Sequence, residues 1–116
     1  MQKRRLHLGV VFLSMLLTIL IILYALGILK LFVVKGNSMY PIIQSGKLII
    51  GRVVAGIPEA HPQINKIYVY EDTEGFIVHR LIRCDDFYYY FKGDNLVEED
   101  EPVSKDTKLY YVLFQK

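Results

Sequence analysis

From Leu8 to Leu29 the chain carries 22 consecutive residues without a charge, nearly all Leu, Ile, Val, Phe, Met, Ala or Gly. At a helical rise of about 1.5 Å per residue such a run spans roughly 30 Å, the hydrocarbon thickness of a bilayer. The apolar core of a cleaved signal peptide covers only about 7–15 residues, and no clear small-x-small cleavage site follows here. A soluble core would have to wrap the helix completely, and a 116-residue chain has too little protein for that. The run predicts a transmembrane helix, with an uncleaved signal as the alternative. Lys3, Arg4 and Arg5 precede it, and positive flanks are retained on the cytoplasmic side. Lys30 and Lys35 soften that contrast, although Lys30 can snorkel to the headgroups. The expected organisation is a cytoplasmic N-terminus and anchor over 1–34, followed by an extracytoplasmic domain over 35–116.

Charge and cysteine content exclude several classes of function. Residues 35–116 hold ten cations against twelve acids, with no basic patch interleaved with aromatics, so nucleic-acid binding has no support. The single cysteine, Cys84, cannot form an internal disulfide, and no Cys/His cluster has zinc spacing. No metal and no cofactor is expected.

The outer part reads as β. Lys47–Val54, Ile67–Tyr70, Phe76–Ile82, Phe87–Phe91 and Leu109–Phe114 are short runs rich in β-branched and aromatic residues. Polar turns separate several of them, and Pro58 and Pro62 mark a loop. Five short strands predict a small, mainly antiparallel sheet folded into a partly open barrel. Segment 36–46 would connect the membrane helix to the first strand.

Three groups of residues can carry chemistry. The first is Gly36-Asn37-Ser38-Met39-Tyr40-Pro41, just beyond the apolar run. A serine hydroxyl is a weak nucleophile that needs a base within reach, itself oriented by a third group. The second group holds the candidate bases beyond the membrane, His61, His79, Cys84 and the lysines. His61 lies in a proline-flanked loop and reads as a solvated histidine. In Phe76–Cys84, alternation puts Ile77, His79, Leu81 and Arg83 on one face and Cys84 on the other, which argues against a Cys–His pair. From the pattern alone, His79 is either a base or a hydrogen-bonded core histidine. The third group is Lys92–Glu101, where five of the eight residues from Asp94 to Glu101 are acidic. It is either a solvated loop or one that presents a carboxylate to the histidine.

Taken together, Gly36–Pro41, His79-Arg80, and Lys92-Gly93-Asp94-Asn95 with Asp100 resemble a type I signal peptidase. The resemblance is to its Ser-His-Asp branch, found in the endoplasmic reticulum, archaea and some Gram-positive bacteria. In the common bacterial branch a lysine stands where this chain has His79. The resemblance implies Ser38 as nucleophile, His79 as general base and Asp100 as the acid that orients the imidazole. The resemblance also matches Asp94 to a second important acid of the family, one that supports the loop or shares that role. It also implies the Ser38 backbone N–H as oxyanion donor. Gly36 replaces a serine carried by many relatives, so a side-chain donor there would be missing. Met39 and Pro41 would shape the nucleophile turn, and Met39, Ile42 and strand Ile/Val residues would line two shallow apolar pockets.

The implied substrates are leader peptides of translocated preproteins, docked extended at a sheet edge beside the bilayer. Accessory subunits are left open. A histidine base suits a small, wet site, since free histidine, near pKa 6.5, is largely neutral at pH 7, whereas free lysine, near 10.4, must be desolvated first. Relatives have Gly-Asp where this chain has Gly46-Lys47 and Asn65-Lys66, and often two asparagines where it has Asn95-Leu96. Two alternatives stand beside this expectation. One is a catalytically degenerate membrane module that binds leader peptides or partners, and the other a Ser-Lys self-processing or repressor-type peptidase.

Overall fold

A computed structural model describes residues 2–54 and 61–115. Helix α1 covers Gln2–Ala25. None of its apolar span is buried, and it is long and apolar enough to cross a membrane. It shows no polar face of the kind that lets a surface helix lie against a soluble core.

The helix stops inside the uncharged run. Gly27 takes a left-handed φ of 76°, its N–H bonds the Tyr24 carbonyl at 3.0 Å, and the Ile28 N–H reaches back to Leu23 at 3.0 Å. This is the paired 5→2 and 6→1 closure of a Schellman cap, which glycine enters without Cβ strain. Residues 8–25 thus supply about 27 Å of uncharged helix. Leu29, expected at the helix end, instead begins a strand.

Seven antiparallel strands follow among the described residues: β1 Leu29–Val33, β2 Leu48–Val53, β3 Ile67–Asp72, β4 Gly75–Cys84, β5 Tyr88–Lys92, β6 Val103–Ser104 and β7 Leu109–Val112. They form one sheet in the order β1-β2-β7-β3-β4-β5-β6, curled into a half-barrel. The mainly β expectation holds, with two strands added. β1 hid in the apolar run, and β6 is only two residues long. Segment 36–46 therefore links β1 to β2, and not the helix to the first strand. Pro62 lies in irregular chain, while Pro58 falls outside the described residues.

The sheet has apolar residues on both faces. On β3, Ile67 and Val69 join Phe32, Met39, Ile49 and Tyr110 in one core cluster. Tyr68 and Tyr70 join Leu81, Phe91 and Leu109 in the other. This two-sided burial explains why β3 reads as a continuous apolar run rather than an alternating one. Curling brings β1 back toward β4, where the Phe32 and Phe76 rings meet edge to face with centroids 5.1 Å apart. Gly51 makes room for this, because a Cβ there would lie 2.9 Å from the Phe32 ring and 2.8 Å from Tyr110 Cβ.

One strand departs from simple alternation. β4 pairs Leu81 with Phe91 but Arg83 with Tyr90, a bulge of one residue. Arg83 is thereby turned to the face opposite His79 and packs over the Tyr90 ring at 3.7 Å. The face argument that separated Cys84 from His79 fails for the same reason, since Cys84 now pairs with Tyr89. Distance separates them instead: five strand residues span about 17 Å, and Cys84 is exposed.

Candidate active site

Ser38 sits in the 34–47 connection, which antiparallel closure pulls into a tight excursion. The Val34 N–H donates to Lys47 at 2.9 Å, and the Gly46 N–H donates back to Val34 at 2.7 Å. Gly36 and Gly46 both adopt left-handed φ, 82° and 90°, and the Gly36 N–H bonds Ser45 Oγ at 3.1 Å. Met39 is 1 % exposed and anchors the turn in the first core cluster, leaving Ser38 half-buried at its rim. Among the described residues, no acceptor takes the Ser38 backbone N–H.

The chain after β5 clasps this turn. Asn95 donates its backbone N–H to the Ser38 carbonyl at 2.8 Å and its side-chain amide to the Asn37 carbonyl at 2.9 Å. The Asp94 N–H approaches Met39 Sδ at 3.3 Å. Gly93 is required by the closeness of the parts: a Cβ there would stand 2.7 Å from the Ser38 carbonyl oxygen and 3.1 Å from His79 Nε2. No side chain fits between the serine turn and the imidazole.

His79 is 7 % exposed. Its Nδ1 lies 2.5 Å from Asp100 Oδ2, and Tyr70 Oη donates to the same oxygen at 2.6 Å. The Asp100 backbone is fixed by its N–H to the Phe91 carbonyl at 2.8 Å. Burial opposes the Asp100 charge, but the hydrogen bonds from His79 and Tyr70 outweigh it and hold the carboxyl below its ordinary pKa. An ionised Asp100 only accepts, so Nδ1 carries a proton, and in the neutral form of the ring Nε2 is the acceptor. Nε2 is the nitrogen on the Ser38 side.

Asp94 has a different partner. Its two carboxylate oxygens receive Arg80 Nε and Nη2 at 2.8 and 2.7 Å, and this bidentate pair keeps Asp94 below the usual carboxylate range. Arg80 Nη1 also bonds the Asn65 carbonyl at 2.6 Å. The acid facing the imidazole is therefore Asp100, and Asp94 braces the loop. Glu99 pairs with Arg83 at 2.9 Å, so three acids of one loop meet His79, Arg80 and Arg83 of one strand.

Ser38 and His79 border one cleft of about 750 Å³ between β1 and β4, lined also by Lys30–Lys35, Glu74, Phe76–Val78 and Leu96. No hydrogen bond joins the Ser38 hydroxyl to His79. Met39 and Ile42 do not line the cleft: Met39 is spent in the core, and Ile42 faces a separate recess with Pro41. Val33, Val34, Ile77 and Val78 form the apolar walls. His61 is exposed and lies outside the cleft. Among the described residues no group of His, Cys, Asp and Glu could hold a metal.

The motif departures have local explanations. Asn65 adopts a left-handed φ of 72°, which asparagine tolerates better than most side-chain-bearing residues, so it can serve where a relative has glycine. Gly46 retains the turn without its aspartate. Sequence reasoning passed over Tyr70, which read as one aromatic in an apolar strand, and quoted Arg80 beside His79 without a role, since its partner lies 14 residues away.

No curated protein and no solved structure matches the chain significantly. A family model does, the Peptidase S24-like model, over residues 24–112. The match runs from the end of α1 through β7 and contains the serine turn, His79 and both aspartates. With the serine turn, an oriented imidazole and this half-barrel in one matched span, the chain belongs to the Peptidase S24-like family of serine peptidases.

Proposed function

We propose that this chain is a membrane-anchored serine endopeptidase of the signal-peptidase type, removing leader peptides where they leave the bilayer on the extracytoplasmic side. The observation that carries the reading is the imidazole bridge: Asp100 holds Nδ1, Nε2 lies beside Gly93 next to the serine turn, and His79 and Ser38 border one cleft.

In this reading Ser38 Oγ attacks the scissile carbonyl while its proton passes to His79 Nε2. The Ser38 N–H receives the developing oxyanion, an interaction worth roughly 3–4 kcal/mol in serine proteases. Collapse of the tetrahedral adduct breaks the C–N bond, and the imidazolium returns the proton to the departing amine. Water then repeats the sequence on the acyl-enzyme. The hydroxyl and the ring must close the remaining gap when substrate binds, as happens often in peptidase centres seen without ligand.

Among the described residues β1 pairs only with β2 and is a sheet edge, so an extended peptide can add to it while small side chains enter the Val33/Val34/Ile77/Val78 walls. A leader's cleavage site lies where its apolar helix ends. An anchor ending at Ala25 holds Ser38 at that level and raises the local concentration of the bond to be cut.

The Ser-Lys alternative needs a lysine in the place of His79. The cleft's lysines lie on β1 or just after it, and the Lys30 ammonium rests 4.3 Å from the Phe76 ring centroid. The test is cleavage of a preprotein with an Ala-x-Ala site in detergent or liposomes. Wild type is expected to cut, with Ser38→Ala and His79→Ala losing at least about 10²-fold in rate. Retained activity in either variant sinks the proposed chemistry, and binding of leaders without cleavage by wild type would make the chain a non-enzymatic module. His79→Lys reports whether the site can host the other base.

A further inference from the structure

We infer that Tyr70 is a positioning residue of the peptidase centre, acting on His79 through Asp100, an inference that rests on the serine–histidine reading above. Tyr70 is 3 % exposed in the middle of β3, with its ring stacked on Phe91 at 4.7 Å. A buried phenol needs an acceptor, but packing does not dictate which. Here the acceptor is Asp100 Oδ2, the same atom that meets His79 Nδ1.

Register makes this possible. β3 and β4 pair Tyr68 with His79 and Tyr70 with Ile77, so Tyr70 shares the face of His79 and sits one same-face pair along. A slip of one residue would send its hydroxyl to the other side of the sheet. Two donors converging on one oxygen fix the carboxylate torsion and divide the charge at Oδ2. Asp100 then orients the ring with a charge that the Tyr70 hydroxyl shares. Burial, then the hydrogen bond to Asp100, push the phenol well above its ordinary pKa, so Tyr70 remains a donor whenever the enzyme works.

A second cavity of about 370 Å³ sharpens the consequence. Tyr70 and Asp100 line it together with Glu71, Asp72 and Glu101, the other ionisable groups on that side. Asp100 does not line the Ser38 cleft. Removal of the phenol hydroxyl therefore opens Oδ2 to water from this cavity, which replaces a fixed donor by a mobile one. The carboxylate becomes a stronger acceptor for the imidazolium, and its orientation loosens.

Tyr70→Phe tests this in the full-length protein with the Ala-x-Ala preprotein. It keeps the ring and its packing. kcat is expected to fall about tenfold with KM unchanged, the scale of one hydrogen bond to a charged group, and the acid limb of kcat/KM moves to higher pH. In an Asp100→Asn background the same substitution should cost less than about twofold, because the residue it acts through is already altered. Replacement of Tyr70 by 3,5-difluorotyrosine, a stronger donor, should move the acid limb to lower pH and keeps the test available if Tyr70→Phe folds poorly. Wild-type kcat and an unmoved acid limb in Tyr70→Phe would overturn the inference, as would an undiminished loss in the Asp100→Asn background. Failure of the underlying reading shows elsewhere, as activity surviving in Ser38→Ala or His79→Ala.

Discussion

Two adjacent residues of β4 each hold an acid of the same loop, and the two pairs are built differently. His79–Asp100 is the more buried pair, joined through one shared oxygen that also takes Tyr70. Arg80–Asp94 is about one-fifth to one-quarter exposed, bidentate, and tied to the backbone of Asn65. A charge fixed at both ends by a fork is well suited to hold a loop and poorly suited to move a proton. An imidazole held by one nitrogen, with the other free beside a serine, has the opposite virtues. The alternation of strand side chains puts these two devices on opposite faces one residue apart, so one loop is both braced and made part of the site.

The sharpest way to break this contrast is to remove each acid's charge in turn. Asp100→Asn should leave the fold intact and lower kcat by about 10²–10⁴-fold, the usual worth of an oriented base, read as cleavage of the Ala-x-Ala preprotein. If Asp94→Asn causes the larger loss, the roles given to the two pairs are reversed. Next in size is Gly93→Ala. The added methyl meets the Ser38 carbonyl oxygen at 2.7 Å, a backbone atom that cannot swing aside. Displacing the serine turn by even about 1 Å can cost about 10²-fold in rate. Activity at the wild-type level would mean that the clasp is looser than its contacts indicate.

Much of this was legible in the chain and some was not, for identifiable reasons. The strand runs from β2 to β5 and β7 announced themselves by β-branched and aromatic residues, because a sheet packed on both faces needs them. β1 did not, since its Leu-Lys-Leu-Phe-Val shares the apolar character of the helix before it. Only Gly27 marks the boundary, and a glycine in an apolar run does not reveal its φ. Ser38, His79 and the acidic loop could be singled out as candidates from residue type and order. The choice between Asp94 and Asp100 could not be made there, because it depends on which loop atoms reach which face of β4. The bulge after Leu81 was equally hidden: it reverses the faces of Arg83 and Cys84 without any glycine or proline to signal it.

Smaller effects separate bracing from catalysis. Asp94→Asn should reduce stability by about 1–2 kcal/mol, as one partner of a partly buried charged pair loses its counterpart, measured by chemical unfolding, with activity lowered several-fold at most. The same pairs contribute to the acid response. Both Asp94 and Asp100 have folded-state pKa values below their ordinary ones, so each favours the folded state while ionised. Their contribution is complete above the unfolded value of about 3.9 and disappears as pH falls through the lower folded values. Stability should therefore decline below about pH 4, and less steeply in Asp94→Asn. A decline of equal slope in the variant would remove Asp94 from that account.

The smallest expected effect belongs to the third pairing of this loop with β4. Arg83 lies past the bulge, on the face away from His79, and meets Glu99 through two exposed contacts of 2.9 and 3.3 Å. Its guanidinium also covers the Tyr90 ring, a contact that needs no acid partner. Exposed pairs of this kind contribute little, because water screens the charges and two long side chains must be ordered to make them. Glu99→Gln is therefore expected to leave both the unfolding midpoint and the cleavage rate at wild-type values. A loss of activity comparable to that of Asp94→Asn would mean that the loop is positioned by the whole row of acids. The contrast between a bracing pair and a proposed proton-handling pair would then give way to a single cooperative clasp, with Asp100 placed by its neighbours as much as by Tyr70 and His79.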